Sequence, residues 1–194
     1  MNPTREHALA LLHKYNETPS LRKHALAVEA TMRHFANHFG EDEELWGIIG
    51  LIHDLDYEKY PEQHCQMTEK ILRENNWPET HIRAVLSHAW ELCTNVKPET
   101  LLEKTLYTID ELTGLVTTSA LVRPSKSLLD MNAKSVKKKW NDKRFAAKID
   151  RSIIEKGAQM LEMDLNQLIT LTIEGMIKIA GDLELDGRLE QTYK

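Results

Sequence analysis

The sequence predicts an all-α protein. Three observations carry this: apolar residues recur at helical spacing along most of the chain, the alternation a half-buried strand needs is nearly absent, and Pro, Gly and Asn signals punctuate the periodic stretches. With 194 residues, 41% of them hydrophobic, the chain can bury a substantial core, and a single domain over residues 1–194 is expected.

Leu9, Leu12 and Tyr15 mark a short first helix. Thr18, Pro19 and Ser20 supply the start signal of a second, which Gly40 closes. Its apolar stripe is Leu21, Ala25, Val28, Met32, Phe35 and Phe39, with His24 on the border one turn before Val28. A third helix is expected from about Glu41, where acidic residues suit the positive end of the dipole, to about His53. Its Ile and Gly content points to burial on all sides. Residues 55–60 are polar and read as a loop, after which Pro61 sits in the first turn of the next helix. His64 falls near that helix's start, and Met67, Ile71 and Leu72 form its core face.

Residues 75–78 break the pattern, and His81, Val85, His88 and Leu92 then share one side of a further helix. Pro98 opens a long helix through Leu121. Leu102, Leu106, Ile109, Thr113 and Val116 are its inward stripe, with Asp110 one turn beyond Leu106. Residues 123–144 are the least regular stretch, and closing helices are expected over about 142–161 and 164–179. The core spans about residues 18–122, and about 123–194 form a helical cap.

No stretch approaches the roughly 18 apolar residues of a membrane span, and the start lacks a basic region followed by an apolar block. A soluble, cytoplasmic protein is expected. Cys65 and Cys93 lie in periodic segments and read as free thiols, not as a disulfide framework or thiolate zinc site. The net charge of −5 is uneven: residues 123–151 carry +7 and the rest −12. A cationic patch on an acidic body attracts anions, although the bland reading is a solvated face.

The pair His53-Asp54 follows the apolar run of residues 46–52. An imidazole and a carboxylate there are costly to desolvate unless paired or bound to a metal. Neighbours on an ideal helix point about 100° apart, so the two can share a cavity only where the helix unwinds. Helices bearing His24, His64, His88 and Asp110 can close around them as in bundle-core sites. Four imidazoles and two carboxylates exceed what one transition ion needs, and two ions bridged by a carboxylate would use them all. His81 is a rival to His88 on the same face.

The ordered set resembles the HD superfamily of metal-dependent phosphohydrolases: a His on an early helix (His24), a His-Asp pair at a helix end (His53, Asp54) and a later Asp on a long helix (Asp110). The resemblance covers about residues 18–122 and implies an HD-domain helical bundle. Dinuclear members, including bacterial dinucleoside tetraphosphate hydrolases, add two histidines between the pair and the last Asp, where His64 and His88 fall. Two divalent ions would leave the centre cationic and suited to phosphate oxygens, with a metal-activated hydroxide as nucleophile and Asp54 bridging. Iron comes first by resemblance, and His and carboxylate ligands also suit Mn, Zn, Ni or Co.

The tetraphosphate enzymes resemble His-Asp-Ile-Ala-Lys after the pair, whereas this chain continues Leu55-Asp56-Tyr57-Glu58. Asp56 and Glu58 are candidate proton shuttles and Tyr57 a candidate substrate contact, with loop stabilisation as the competing role for each. Arg123, Lys126, Lys137, Lys138, Lys139, Lys143 and Arg144 are candidate phosphate contacts.

The function expected is hydrolysis of a phosphate ester or anhydride of a small metabolite, a nucleotide foremost. The alternatives are an HD-type di-iron oxygenase and a nucleotide-binding sensor without turnover. Trp140 and Phe145 interleave with the charges as nucleic-acid stacking would need, yet the acidic body argues against that partner. A closed structural metal site fits poorly, since such sites are usually four-coordinate and cysteine-rich. Oligomeric state stays open.

Overall fold

A computed structural model describes residues 3–142 and 144–188, and within them the chain is all-α. The helices are α1 (Arg5–Tyr15), α2 (Pro19–Phe39), α3 (Glu43–Ile52), α4 (Gln66–Glu74), α5 (Glu79–Ser87), α6 (Leu101–Leu121), α7 (Ala133–Lys137), α8 (Arg151–Met160) and α9 (Leu165–Ile177). Among the described residues no strand forms; isolated bridges join Trp90 to Thr94 and Ser127 to Asp186. No helix is long and apolar enough to cross a membrane among these residues.

Local chemistry sets most helix starts. Thr4 and Thr100 cap α1 and α6 in capping boxes closed by His7 and Glu103. Asp42, Asp150 and Asp164 cap α3, α8 and α9 by accepting backbone N–H groups of the first turn. Pro19 opens α2, and Gly40, in the left-handed conformation, ends it.

Helix α2 is the central element, packed on α3, α6 and α9. Its contact with α3 depends on Gly50: a Cβ there would lie 3.1 Å from the Val28 carbonyl oxygen and 3.2 Å from Glu29 Cα. That close approach sets the end of α3 beside the middle of α2, one turn beyond His24. One apolar cluster runs from Ala8 to Leu185 and includes Phe35, Ile49, Leu106 and Leu112 at 0% exposure. The last third of the chain joins it, with α8 against α6 and α9 against α2.

Several expected boundaries move. Pro61 starts a 3-10 turn, Pro61–Gln63, not the α-helix, and Cys65 at φ 68° breaks the chain before α4 begins. His64 therefore lies at a kink. Helix α5 stops at Ser87, because the Thr94 hydroxyl donates to the Leu86 carbonyl and the chain turns through Glu91 at φ 66°. Leu92, expected on its inner side, is 61% exposed. The helix expected from about 142 starts at Arg151, where Asp150 supplies the cap, and a short helix, α7, interrupts the irregular stretch.

Candidate metal centre

His53 is the C-cap residue of α3, and the chain leaves helical geometry after it, so Asp54 turns into the same space. His24 comes from α2, Asp110 from α6, His88 from the C-cap of α5, and His64 from the kink before α4. The structure thus brings all six expected ligands together. His24 Nε2 lies 2.9 Å from Asp110 Oδ1, and His53 Nε2 lies 3.3 Å from both His24 Nε2 and Asp110 Oδ1.

Asp54 faces two ways. Its Oδ2 is 3.6 Å from His53 Nε2 and 3.9 Å from His24 Nε2, while its Oδ1 is 3.3 Å from His88 Nε2 and 3.6 Å from His64 Nε2. Two sets of candidate ligands follow, one of His24, His53 and Asp54, the other of His64, Cys65 and His88. Asp54 Oδ1 is buried without a hydrogen-bond partner among the described residues. A buried carboxylate oxygen left so is costly, and a cation between it and the facing imidazoles removes the cost.

The imidazoles are oriented for this. His53 Nδ1–H donates to the Gly50 carbonyl at 2.7 Å, His88 Nδ1–H to the Val85 carbonyl at 2.6 Å, and His64 Nδ1–H to Asp56 Oδ1 at 2.8 Å. Each bond leaves the Nε2 lone pair directed at the cluster, the arrangement by which outer hydrogen bonds fix metal-ligating histidines. The donor set fits first-row divalent ions.

The electrostatics agree. Burial disfavours charge on His53, yet Asp54 and Asp110 outweigh it and raise its pKa to about 9. Burial pushes both carboxylates up, but His53 and its neighbours hold Asp54 and Asp110 well below the ordinary range. The cluster therefore favours positive charge at its centre. Burial and then Asp110 push Glu111, the next residue on α6, up to about 7.

The other expected site residues fall differently. Asp56 is 0% exposed, and both of its oxygens are engaged, Oδ1 by His64 and Oδ2 by the Thr68 backbone N–H at 2.7 Å. It is a positioning residue for His64, not a shuttle facing solvent. Glu58 accepts from the Glu17 and Thr18 backbone N–H groups and the Thr18 hydroxyl, bonds that hold its pKa low and tie it to the entry of α2. Its role is loop anchoring. Tyr57 is half exposed, its ring edge-on to His64 at 5.4 Å, and its hydroxyl pKa is raised by burial and by Asp54. It borders the cluster.

Among the described residues, the candidate phosphate contacts of the basic segment find partners other than the cluster or face solvent. Arg123 binds the Asp130 carboxylate at 2.5 Å and the Ser135 hydroxyl, so it is a structural staple. Lys137 donates to Asn166 Oδ1, and Lys139 stacks on the Phe145 ring. Lys138 is exposed, Arg144 sits 4.0 Å from Asp142 with its side chain 97% exposed, and Lys126 occupies a turn at φ 45°. Lys143 lies outside the described residues. The rival His81 packs edge-on to Trp77, away from the six ligands' contacts.

Sequence reasoning missed Cys65, a fully buried thiol with Sγ 3.7 Å from His64 Nε2, and Glu111. The positive φ at Cys65 had no glycine to announce it.

The family comparison agrees with this geometry. Residues 21–115 match the HD domain family model, and the protein contains an HD domain. HD domains belong mostly to metal-dependent phosphohydrolases, and the His and Asp clusters are compatible with divalent metal. No curated protein and no solved structure matches the chain.

Proposed function

We propose that this protein is a metal-dependent phosphohydrolase that cleaves a phosphate ester or anhydride of a small metabolite, with a nucleotide as the first candidate. The observation that carries the reading is the two-sided Asp54, one oxygen toward His24 and His53 and the other, unpartnered, toward His64 and His88. In this reading His24, His53, Asp54, His64, His88 and Asp110 hold two ions, iron first, with Mn, Zn, Ni or Co also suited to the donors. Such ions supply charge stabilisation at phosphoryl oxygens and a water activated to attack near neutral pH.

The chain's own residues orient and shield. His53 and His88, at 0% and 3% side-chain exposure, close the inner side against water, whereas His24 at 25% and Asp110 at 20% leave the opposite side open to substrate. The half-exposed Tyr57, its ring edge-on to His64, is the side chain at the border of the cluster whose hydroxyl, protonated at neutral pH, would donate to a phosphoryl oxygen. Neither a nucleic acid nor a membrane belongs to this reading.

The test is elemental analysis of the freshly purified protein paired with phosphate release from a nucleotide panel before and after chelation. First-row metal with chelator-sensitive release is expected. Metal without release, accompanied by oxygen consumption from the reduced centre, would replace the reading with an oxygenase. No metal even after reconstitution would overturn it.

A further inference from the structure

His24, on the open side of the ligand cluster, also lines a groove of about 690 Å³. Along α6 the groove follows Gly114, Thr117, Thr118 and Leu121, which continue the face of Asp110 at helical spacing. It therefore starts one turn from a candidate metal ligand and runs outward for about 10 Å, the rise of the seven residues from Gly114 to Leu121. On α2 it extends from His24 back through Ser20 to Pro19.

The roof comes from the basic segment and from the chain after α9. Ala146, Ala147 and Ile149 cover one side and Leu183 and Leu185 the other. Ile149 reaches the groove floor because Gly114 has no side chain: a Cβ there would sit 2.8 Å from Ile149 Cδ1. Leu121 is 46% exposed at the outer end, an apolar surface that an occupant would cover. Of the cations lining the groove, Lys23 is held by Glu184 at 2.5 Å, whereas Lys148 has no ion pair among the described residues.

We propose that this groove is the substrate's second anchor: the phosphoryl group lies at the His24–Asp110 end, and an elongated apolar organic group on the same molecule fills the channel between α2, α6 and the roof. The inference rests on the phosphohydrolase reading for the phosphoryl end, and on the groove's own geometry for the apolar end. It names the substrate class as a phosphate ester with a sizeable apolar portion, as opposed to a small hydrophilic phosphate. Lys148 is the cation of the roof that can meet a polar oxygen between the two ends.

Binding of non-hydrolysable phosphonates to the purified protein, measured by titration calorimetry, separates this from turnover. Naphthylmethylphosphonate is expected to bind about tenfold or more tightly than methylphosphonate, from the apolar area the groove removes from water. Hexylphosphonate alongside tells an aromatic from an alkyl occupant, and a gain for either supports the groove. Thr117→Trp, which fills the channel, is expected to collapse the gap. Leu121→Asp is a second variant at an exposed position that should narrow it should the first fail to fold. Equal affinity for all three phosphonates, or a gap that survives both substitutions, would overturn the groove while leaving hydrolysis untouched. Absence of phosphate release with the gap intact would instead overturn the hydrolase reading alone.

Discussion

Two regions of this chain collect charge, and they use it in opposite ways. At Asp54 six titratable side chains, itself included, converge from α2, the end of α3, the kink before α4, the end of α5 and α6, some of them buried, and the outer nitrogens of His53, His64 and His88 are tied to backbone or to Asp56. In residues 123–151 ten cations lie close in sequence, yet described ones among them go to different partners: Arg123 to Asp130, Lys137 to Asn166, Lys139 to the Phe145 ring and Arg151 to backbone carbonyls. The difference teaches that local charge density in a sequence says little about a site. Convergence of a few buried groups held by outer hydrogen bonds says much more, because only buried charges interact with little screening. What the basic segment brings to the groove beside His24 is one cation, Lys148, among the apolar Ala146, Ala147 and Ile149.

The sharpest way to break this contrast is Asp54→Asn. It preserves shape and removes the charge facing both histidine pairs, so metal content should fall for both sites and phosphate release by at least about a hundredfold. Retained activity would move the chemistry out of the cluster. Next in size, His64→Ala or His88→Ala should lower metal content by one ion per chain and leave the other bound, as read by elemental analysis. Asp56→Asn should weaken that same ion about 10–100-fold without touching its partner, since of the four histidines Asp56 holds His64. Equal loss of both ions would show that the two sets do not divide at Asp54.

A pH profile of the chelated protein tests the charge balance. His53 is raised from 6.5 to about 9, so its contribution is fully present below 6.5 and is lost as pH rises through about 9. Asp54 and Asp110 are depressed from 3.8, so theirs is present above that value and is lost as pH falls toward their folded values. Melting temperature should therefore peak between these limits and decline on the alkaline side. With metal bound, neutral imidazole is the favoured form, and the alkaline decline should flatten. An identical profile with and without metal would mean that the cluster's charges are satisfied without a cation.

The six residues that the structure brings together were legible in the sequence because each carries a local signal: an imidazole or carboxylate on or beside an apolar face, at a helix end or one turn from a core residue. The helical class was legible for the same reason. Less legible was everything decided by contact between distant segments. Nothing local says that α5 stops at Ser87, since the Thr94 hydroxyl eight residues later holds the turn. Nothing at Cys65 announces a left-handed residue, so His64 was placed in a helix that starts beyond it. Asp56 was recognisable as a carboxylate near the pair, but only the fold shows both of its oxygens already engaged. Where the cations of residues 123–151 point was not legible, because charge can be counted along a chain whereas direction cannot.

The smallest effects separate two kinds of cation within the basic segment itself. Arg151 reaches back over the roof, its guanidinium donating to the Phe145 carbonyl at 2.7 Å and the Asp142 carbonyl at 3.3 Å. These bonds tie the backbone beside the roof to the start of α8, so Arg151→Ala should cost about 1–2 kcal/mol in denaturant unfolding and weaken apolar phosphonates through the loosened roof. Joint replacement of Lys137, Lys138 and Lys139 by Ala removes three charges whose contacts are exposed, and such contacts contribute little in water with salt. Phosphate release should then stay within about threefold of the unmodified protein at physiological ionic strength. A large loss from the lysine replacement would return the basic run to the site as a phosphate grip. A large loss from Arg151→Ala alone places the segment's contribution in its shape, and that is the outcome the carbonyl contacts favour.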